Sequence, residues 1–186
     1  MPVPSALFLD RDGTLIVHKP YLHTAAEVEL LPGVASAIRT LITTDTRLFL
    51  LTNQSGVGRG WFSMKEVEIV NARMIELIGL GPDIFTSTCV APESPEQPSL
   101  YRKPSPRFIQ EQIAAYSLDP TSCWMVGDTP SDWKSGLGAG ISAIAVRSDL
   151  TSPETESTRI AWGVPLFPGL PAVVEHIFHG RSQSAL

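Results

Sequence analysis

The chain has 186 residues, of which 43% are apolar and 18% charged, an ordinary globular balance that excludes disorder. Its net charge of −5 provides no general basic surface, so nucleic acid is a disfavoured partner, although a local basic patch stays compatible with it. No apolar run approaches the ~18 residues of a membrane span, and "MPVPSALFLD" lacks the pattern of a secretory leader, so a cytoplasmic protein with no membrane partner is expected. A single domain over 1–186 is expected, with its core at about 5–178, a loose tail at 180–186 and a monomer as the default state. Cys89 and Cys123 sit in apolar stretches without CxxC spacing and read as reduced core thiols.

In chain order, the apolar run Ala6-Leu7-Phe8-Leu9 predicts a buried strand at 6–10 that ends in Asp10-Arg11-Asp12. A helix at 33–43 carries Val34, Ala37, Ile38, Leu41 and Ile42 on one face, and a second strand follows at 48–52. Ser63 and Glu66 form a capping-box pattern before a helix at 64–80, whose stripe is Val67, Val70, Met74, Leu77 and Ile78. A third strand is expected at 84–90. The loop 91–106 holds five of the 16 prolines and reads as a stiff excursion that shapes a substrate site. A helix at 105–116, a strand at 123–127, a helix at 130–139, a strand at 142–146 and a helix at 171–179 complete the series. Strands alternating with helices imply right-handed βαβ units and a mostly parallel sheet covered on both faces. Ligands of such sheets bind beyond the carboxyl ends of the strands.

Four strands present chemistry at that edge. The first delivers Asp10 and Asp12, and the second Thr52-Asn53 followed by "QSGVGRG". Arg102-Lys103-Pro104 follows the proline-rich loop, and the fourth strand ends in Gly127-Asp128 with Asp132 four residues on. Asp10, Asp12 and Asp128 offer hard oxygen ligands for Mg²⁺, while Thr52, the amides around Asn53 and Lys103 suit phosphate oxygens. A metal beside an anion site is what phosphoryl transfer needs. "DRDG" does not open an EF-hand, because Leu15 and Tyr21 stand where Gly and a carboxylate are required. "GVGRG" has neither the spacing of a dinucleotide fingerprint nor the Gly-Lys-Ser/Thr of a Walker loop. Thr129 and Pro130 fit the N-cap and first position of the next helix, so Asp132 has a helix-start reading beside a functional one.

The combination Asp10-Arg-Asp12-Gly-Thr, Thr52-Asn53, Lys103 and Gly127-Asp128-x-x-x-Asp132 resembles the haloacid dehalogenase-like phosphatase superfamily. Across about residues 5–178, "FLDRDGTLIVHKPYLHTAAEVELLPGV", "LLTNQSGVGRG" and "RKPSP" are similar to the D-glycero-D-manno-heptose-1,7-bisphosphate and histidinol-phosphate phosphatases. "TNQSGVGRG" and "LYRKP" also resemble the phosphatase domain of polynucleotide kinase 3′-phosphatases, whereas the compact "GDTPSDWKSGLGAG" fits the small-metabolite enzymes better.

The resemblance implies a Rossmann-like three-layer α/β/α sandwich with a minimal cap. It implies a Mg²⁺-dependent phosphomonoesterase acting through an aspartyl-phosphate on a small phosphorylated substrate. Asp10 is then the nucleophile and Asp12 the acid and base. Mg²⁺ is held by Asp10, the backbone carbonyl of Asp12 and Asp128, with Asp132 supporting it. Thr52, Asn53 and Lys103 hold the phosphoryl group, and Ser55, Arg59 and Arg102 are expected at the rest of the substrate. The subfamily often carries a structural zinc on two pairs of Cys and His ligands. Here Cys89-Val-Ala91 and Ser99-Leu-Tyr101 keep at most one ligand of four, so no structural zinc is expected. A binding protein on an inactive phosphatase fold is disfavoured because every catalytic side-chain type is present. A phosphomutase would need a larger cap.

Overall fold

In the computed structural model, which describes residues 3–179, every strand of the sheet runs parallel. The strands are β1 (Ala6–Leu9), β2 (Arg47–Asn53), β3 (Ser87–Ala91), β4 (Cys123–Gly127), β5 (Ser142–Val146) and β6 (Leu166–Phe167). Their order is β3-β2-β1-β4-β5-β6. β1 is therefore central, and the winding of the sheet reverses beside it, which opens a crevice beyond its carboxyl end.

The alternation of side chains along each strand sorts the core into two faces. Leu7, Leu9, Leu48, Leu50, Val126 and Ile144 pack under α1 (Val34–Ile42), α3 (Met64–Ile78) and α7 (Leu170–His179). Ala6, Phe8, Phe49, Leu51 and Met125 face the other way, with Phe108 and Ile109 of α4 (Arg107–Ala115). Trp133 of α5 (Pro130–Gly138) covers Ala143 and Ala145 on β5. Phe8 and Phe49 stack with centroids 4.7 Å apart, which fixes β1 against β2. The three-layer sandwich is thus present.

The expected capping box is fully formed. Ser63 accepts from the Glu66 backbone N–H, and Glu66 accepts from that of Ser63 at 2.7 Å. α3 stops at Ile78, where Gly79 turns left-handed at φ 71°. The third strand begins later than 84, at Ser87, because Ile84 and Phe85 pack on the core beside α3 before the chain joins the sheet. Among the elements not expected are β6 and α6 (Pro153–Ala161). β6 has two residues, and α6 buries none of its side chains, so neither carries an apolar period. The segment between β1 and α1 contains one short 3₁₀ turn (Ala25–Glu27), and α2 (Ser55–Gly58) is a single turn after β2. The tail at 180–186 lies outside the described residues. No helix among the described residues is long and apolar enough to cross a membrane.

Candidate active site

β1 ends in three residues with different fates. Asp10 is 6% exposed and Arg11 fully buried, and the Asp12 side chain is 18% exposed. Gly13, at φ 79°, adopts a conformation that costs an L residue strain, and its N–H closes a turn onto the Ile16 carbonyl at 2.8 Å. A Cβ at Gly13 would collide with the Asp128 carboxylate. The glycine therefore lets the β1 turn and the end of β4 converge.

Lys103 reaches the same place from the proline-rich loop. Its ammonium donates to Asp10 Oδ1 at 2.5 Å and to the Leu51 carbonyl at 2.9 Å, and lies 2.5 Å from Asp132 Oδ1. Asn53 holds the Lys103 backbone at both ends. Its amide donates to the Lys103 carbonyl at 3.1 Å, and its carbonyl accepts the Lys103 N–H at 2.9 Å. The Asn53 side chain thus serves Lys103. Asp132 links the start of α5 to Lys103. Oδ2 accepts from the Thr129 N–H and hydroxyl at the start of α5, while Oδ1 faces Lys103.

Asp10, Asp128 and Asp132 each offer an oxygen within 4.8 Å of the others, and all three are buried. Against these three carboxylates stands one ammonium, leaving an excess of two negative charges. Burial, opposed by Lys103 and reinforced by Asp132, Asp128 and Asp12, holds the Asp10 carboxyl well above its ordinary value. Burial, then the charge of Asp132, pushes Asp128 up to about 6, with the charge of Lys103 pulling the other way. Burial works against the Lys103 ammonium, but Asp10 and Asp132 outweigh it and raise its pKa. Neither buried oxygen of Asp128 has a hydrogen-bond partner. A buried carboxylate without donors, in a pocket short of two positive charges, fits a small divalent cation with oxygen ligands. Mg²⁺ suits the donor set of Asp10, Asp128 and Asp132.

Asp12 is held apart from that cluster. Its Oδ2 accepts from Arg11 Nε at 3.0 Å and Gln54 Nε2 at 2.9 Å, with the Thr52 hydroxyl at 3.5 Å; Oδ1 has a single contact, Arg11 Nη2 at 3.2 Å. Gln54 also donates to Thr52 Oγ1 at 2.8 Å, so one carboxamide ties Thr52 to Asp12. Sequence reasoning missed Gln54, because a polar residue between a strand and a glycine-rich turn reads as solvated loop. Asp12, His18, Lys19, Tyr21, Asn53, Gln54 and Ser55 line a cleft of about 380 Å³. Arg59 and Arg102 are not part of that lining. Arg59 lies 3.5 Å from Glu96 and over the Trp61 ring, and Arg102 donates to the Glu93 carbonyl at 3.0 Å. Both lie where the end of α2 meets the 92–106 loop.

That loop is closed by its own polar groups. Ser99 donates to Glu93 at 3.0 Å and accepts the Arg102 N–H at 3.0 Å, while Gln97 accepts the Ser94 N–H at 2.8 Å. Burial raises the Cys89 thiol to about 11, which makes it a poor metal ligand. Among the described residues, the Asp10, Asp128 and Asp132 group is the one such cluster of His, Cys, Asp or Glu side chains.

Comparison with known proteins follows the same lines. The family model of HAD-hydrolase-like proteins matches residues 100–171. The D-glycero-beta-D-manno-heptose-1,7-bisphosphate 7-phosphatase of Rhodopseudomonas palustris is 31% identical over 147 residues, covering 75% of this chain and 82% of that protein. Its counterpart in Haemophilus influenzae is 33% identical over 142 residues, covering 73% and 77%. Among solved structures, the D,D-heptose 1,7-bisphosphate phosphatase of B. bronchiseptica, complexed with magnesium and phosphate, gives a TM-score of 0.82 at 25% identity. That match covers 94% of this chain and 98% of the other.

Proposed function

Because the chain belongs to the haloacid dehalogenase-like superfamily, in the branch of the D-glycero-D-manno-heptose-1,7-bisphosphate phosphatases, we propose that it removes one phosphoryl group from a heptose 1,7-bisphosphate or a closely similar sugar phosphate. The observation that carries this reading is the buried trio Asp10, Asp128 and Asp132, two positive charges short of neutrality, beside Asp12 on the wall of an open cleft. A charged sugar phosphate does not cross a membrane unaided, so the reading includes a cytoplasmic location.

Asp10 is the nucleophile. Its carboxylate oxygen forms a bond to phosphorus as the ester P–O bond breaks, splitting one displacement into two. The leaving oxygen takes a proton from Asp12. Asp12 then takes a proton from water as the water oxygen attacks phosphorus, and the aspartyl P–O bond breaks to free phosphate and restore Asp10. Lys103, bonded to Asp10, and the Thr52 hydroxyl, beside Asp12, are assigned to phosphoryl oxygens through charge and hydrogen bonding. Asp10, the Asp12 carbonyl and Asp128 would hold Mg²⁺, with Asp132 in support, and the ion would supply the charge that lets an anionic nucleophile approach an anionic ester. Ser55, Arg59 and Arg102 are assigned to the remainder of the substrate, the arginines as forks for a second phosphate.

The test is phosphate release from heptose 1,7-bisphosphate, histidinol phosphate and a 3′-phosphorylated oligonucleotide at two salt concentrations. The highest kcat/KM is expected for the bisphosphate. Faster turnover of the oligonucleotide, falling steeply with salt, would transfer the assignment to a polynucleotide phosphatase.

A further inference from the structure

Arg11 is the costliest residue near the site. It has no exposed surface, and the side chain is among the largest that the fold buries completely. Taking a guanidinium out of water costs several kcal/mol unless its donors are well matched, and an apolar side chain there would serve the core better. Its donors are matched to one group above all. Nε and Nη2 address the two oxygens of Asp12 at 3.0 and 3.2 Å, and Nη1 donates to Asn71 Oδ1 at 2.9 Å. The backbone is pinned as well: the Arg11 carbonyl accepts the N–H groups of Leu15 and Ile16 at 2.9 and 3.1 Å.

Asn71 is the second irregularity. It lies on α3, buried on the stripe that otherwise holds Val67, Val70, Met74 and Ile78. A polar residue on a buried apolar stripe is unfavourable without a partner, and its carbonyl partner is Arg11. Two costly residues from separate elements thus converge on one carboxylate. A planar fork fixes both the position of a carboxylate and the rotation of its plane, which a point charge does not.

We propose that Arg11, braced by Asn71, is the positioning residue that orients the Asp12 carboxylate toward the leaving oxygen. The inference rests on the reading of Asp12 as the acid of the reaction. Arg11 is fully buried with its donors on Asp12 and Asn71, so it acts through Asp12.

The consequence is selective. An ester with a good leaving group departs without protonation, whereas an alkyl ester needs it. The experiment compares kcat/KM, which reports on the steps up to phosphoenzyme formation, for a primary alkyl phosphate and for 4-nitrophenyl phosphate. It is run on the wild type, Arg11→Lys and Asn71→Ala at saturating Mg²⁺, with melting temperatures measured alongside. Acid catalysis is worth about 10²–10⁴-fold, so Arg11→Lys is expected to lose about 100-fold on the alkyl ester and under about 5-fold on the nitrophenyl ester. Asn71→Ala is expected to lose about 10-fold on the alkyl ester alone, and it keeps the test decisive should Arg11→Lys fold poorly. Equal losses on both esters, or wild-type rates in Asn71→Ala, would overturn the positioning role while leaving the phosphatase reading intact. A wild type inert toward both esters would overturn that reading and the inference with it.

Discussion

Lys103 touches Asp10, Asp132 and the Leu51 carbonyl at once, so each of these contacts limits what the others can do. Asp10→Asn removes the proposed nucleophile and one buried charge that burial already disfavours. Turnover is expected to fall by at least about 1,000-fold, while the melting temperature holds or rises, because the neutral amide suits the dry site better. Phosphate release measured beside a thermal melt checks both halves, and turnover within tenfold of wild type would remove Asp10 from its role. Lys103→Met leaves Asp10 and Asp132 without their shared cation, for an expected loss of about 3–5 kcal/mol in urea unfolding. Asp10, Asp12 and Asp128 were legible in the sequence because charge at the end of an apolar run has few structural explanations, and Lys103 was legible only from its company with those strand ends. Gln54 and Asn71 were not, since amides carry no charge and their partners are remote in the chain. Asn53 was legible as a site residue, but its hold on the Lys103 backbone depends on a loop that periodicity does not describe.

The sheet strands that bury both faces were readable from their apolar runs, and α1 and α3 from their stripes. The parts that escaped are those stabilised without such a pattern. α6 is capped by Ser152 and buries nothing, and β6 is two residues docked on β5. The 92–106 loop is the instructive case. Its prolines announced stiffness, but its closure comes from Ser99, which bonds Glu93 and the Arg102 backbone. Ser99→Ala removes both bonds, each worth about 1 kcal/mol, from a segment outside the sheet. Faster proteolysis within 92–106 and a raised KM are expected, with the global melting temperature within about 2 °C of wild type. Limited proteolysis with and without substrate provides the measurement, and an unchanged cleavage rate would mean that the loop is held elsewhere.

For the molecule as a whole, the acidic cluster links metal, protons and stability. The folded chain raises Asp10 and Asp128 above their unfolded values, so it binds protons there more tightly than the unfolded chain does. The stability from that linkage is complete below about pH 4 and is lost as pH rises through about 6, the folded value of Asp128. Mg²⁺ competes for the same oxygens and is most effective once the protons have left. Added Mg²⁺ is therefore expected to raise the melting temperature more at pH 8 than at pH 5. Melts with and without chelator check this, and a Mg²⁺ effect independent of pH would contradict it. The ion pairs of Lys103 have another consequence, for the order in which the chain acquires its properties. Lys103 stands 93 residues beyond Asp10, and Asp132 comes later still, so a growing chain carries Asp10 long before it carries the groups that surround it. No fragment ending before α5 contains a complete site. Refolding should therefore restore catalysis only with the last docking event. Trp133, next to Asp132 and buried with its indole N–H on the Gly127 carbonyl, supplies an intrinsic fluorophore for timing that event against recovered turnover.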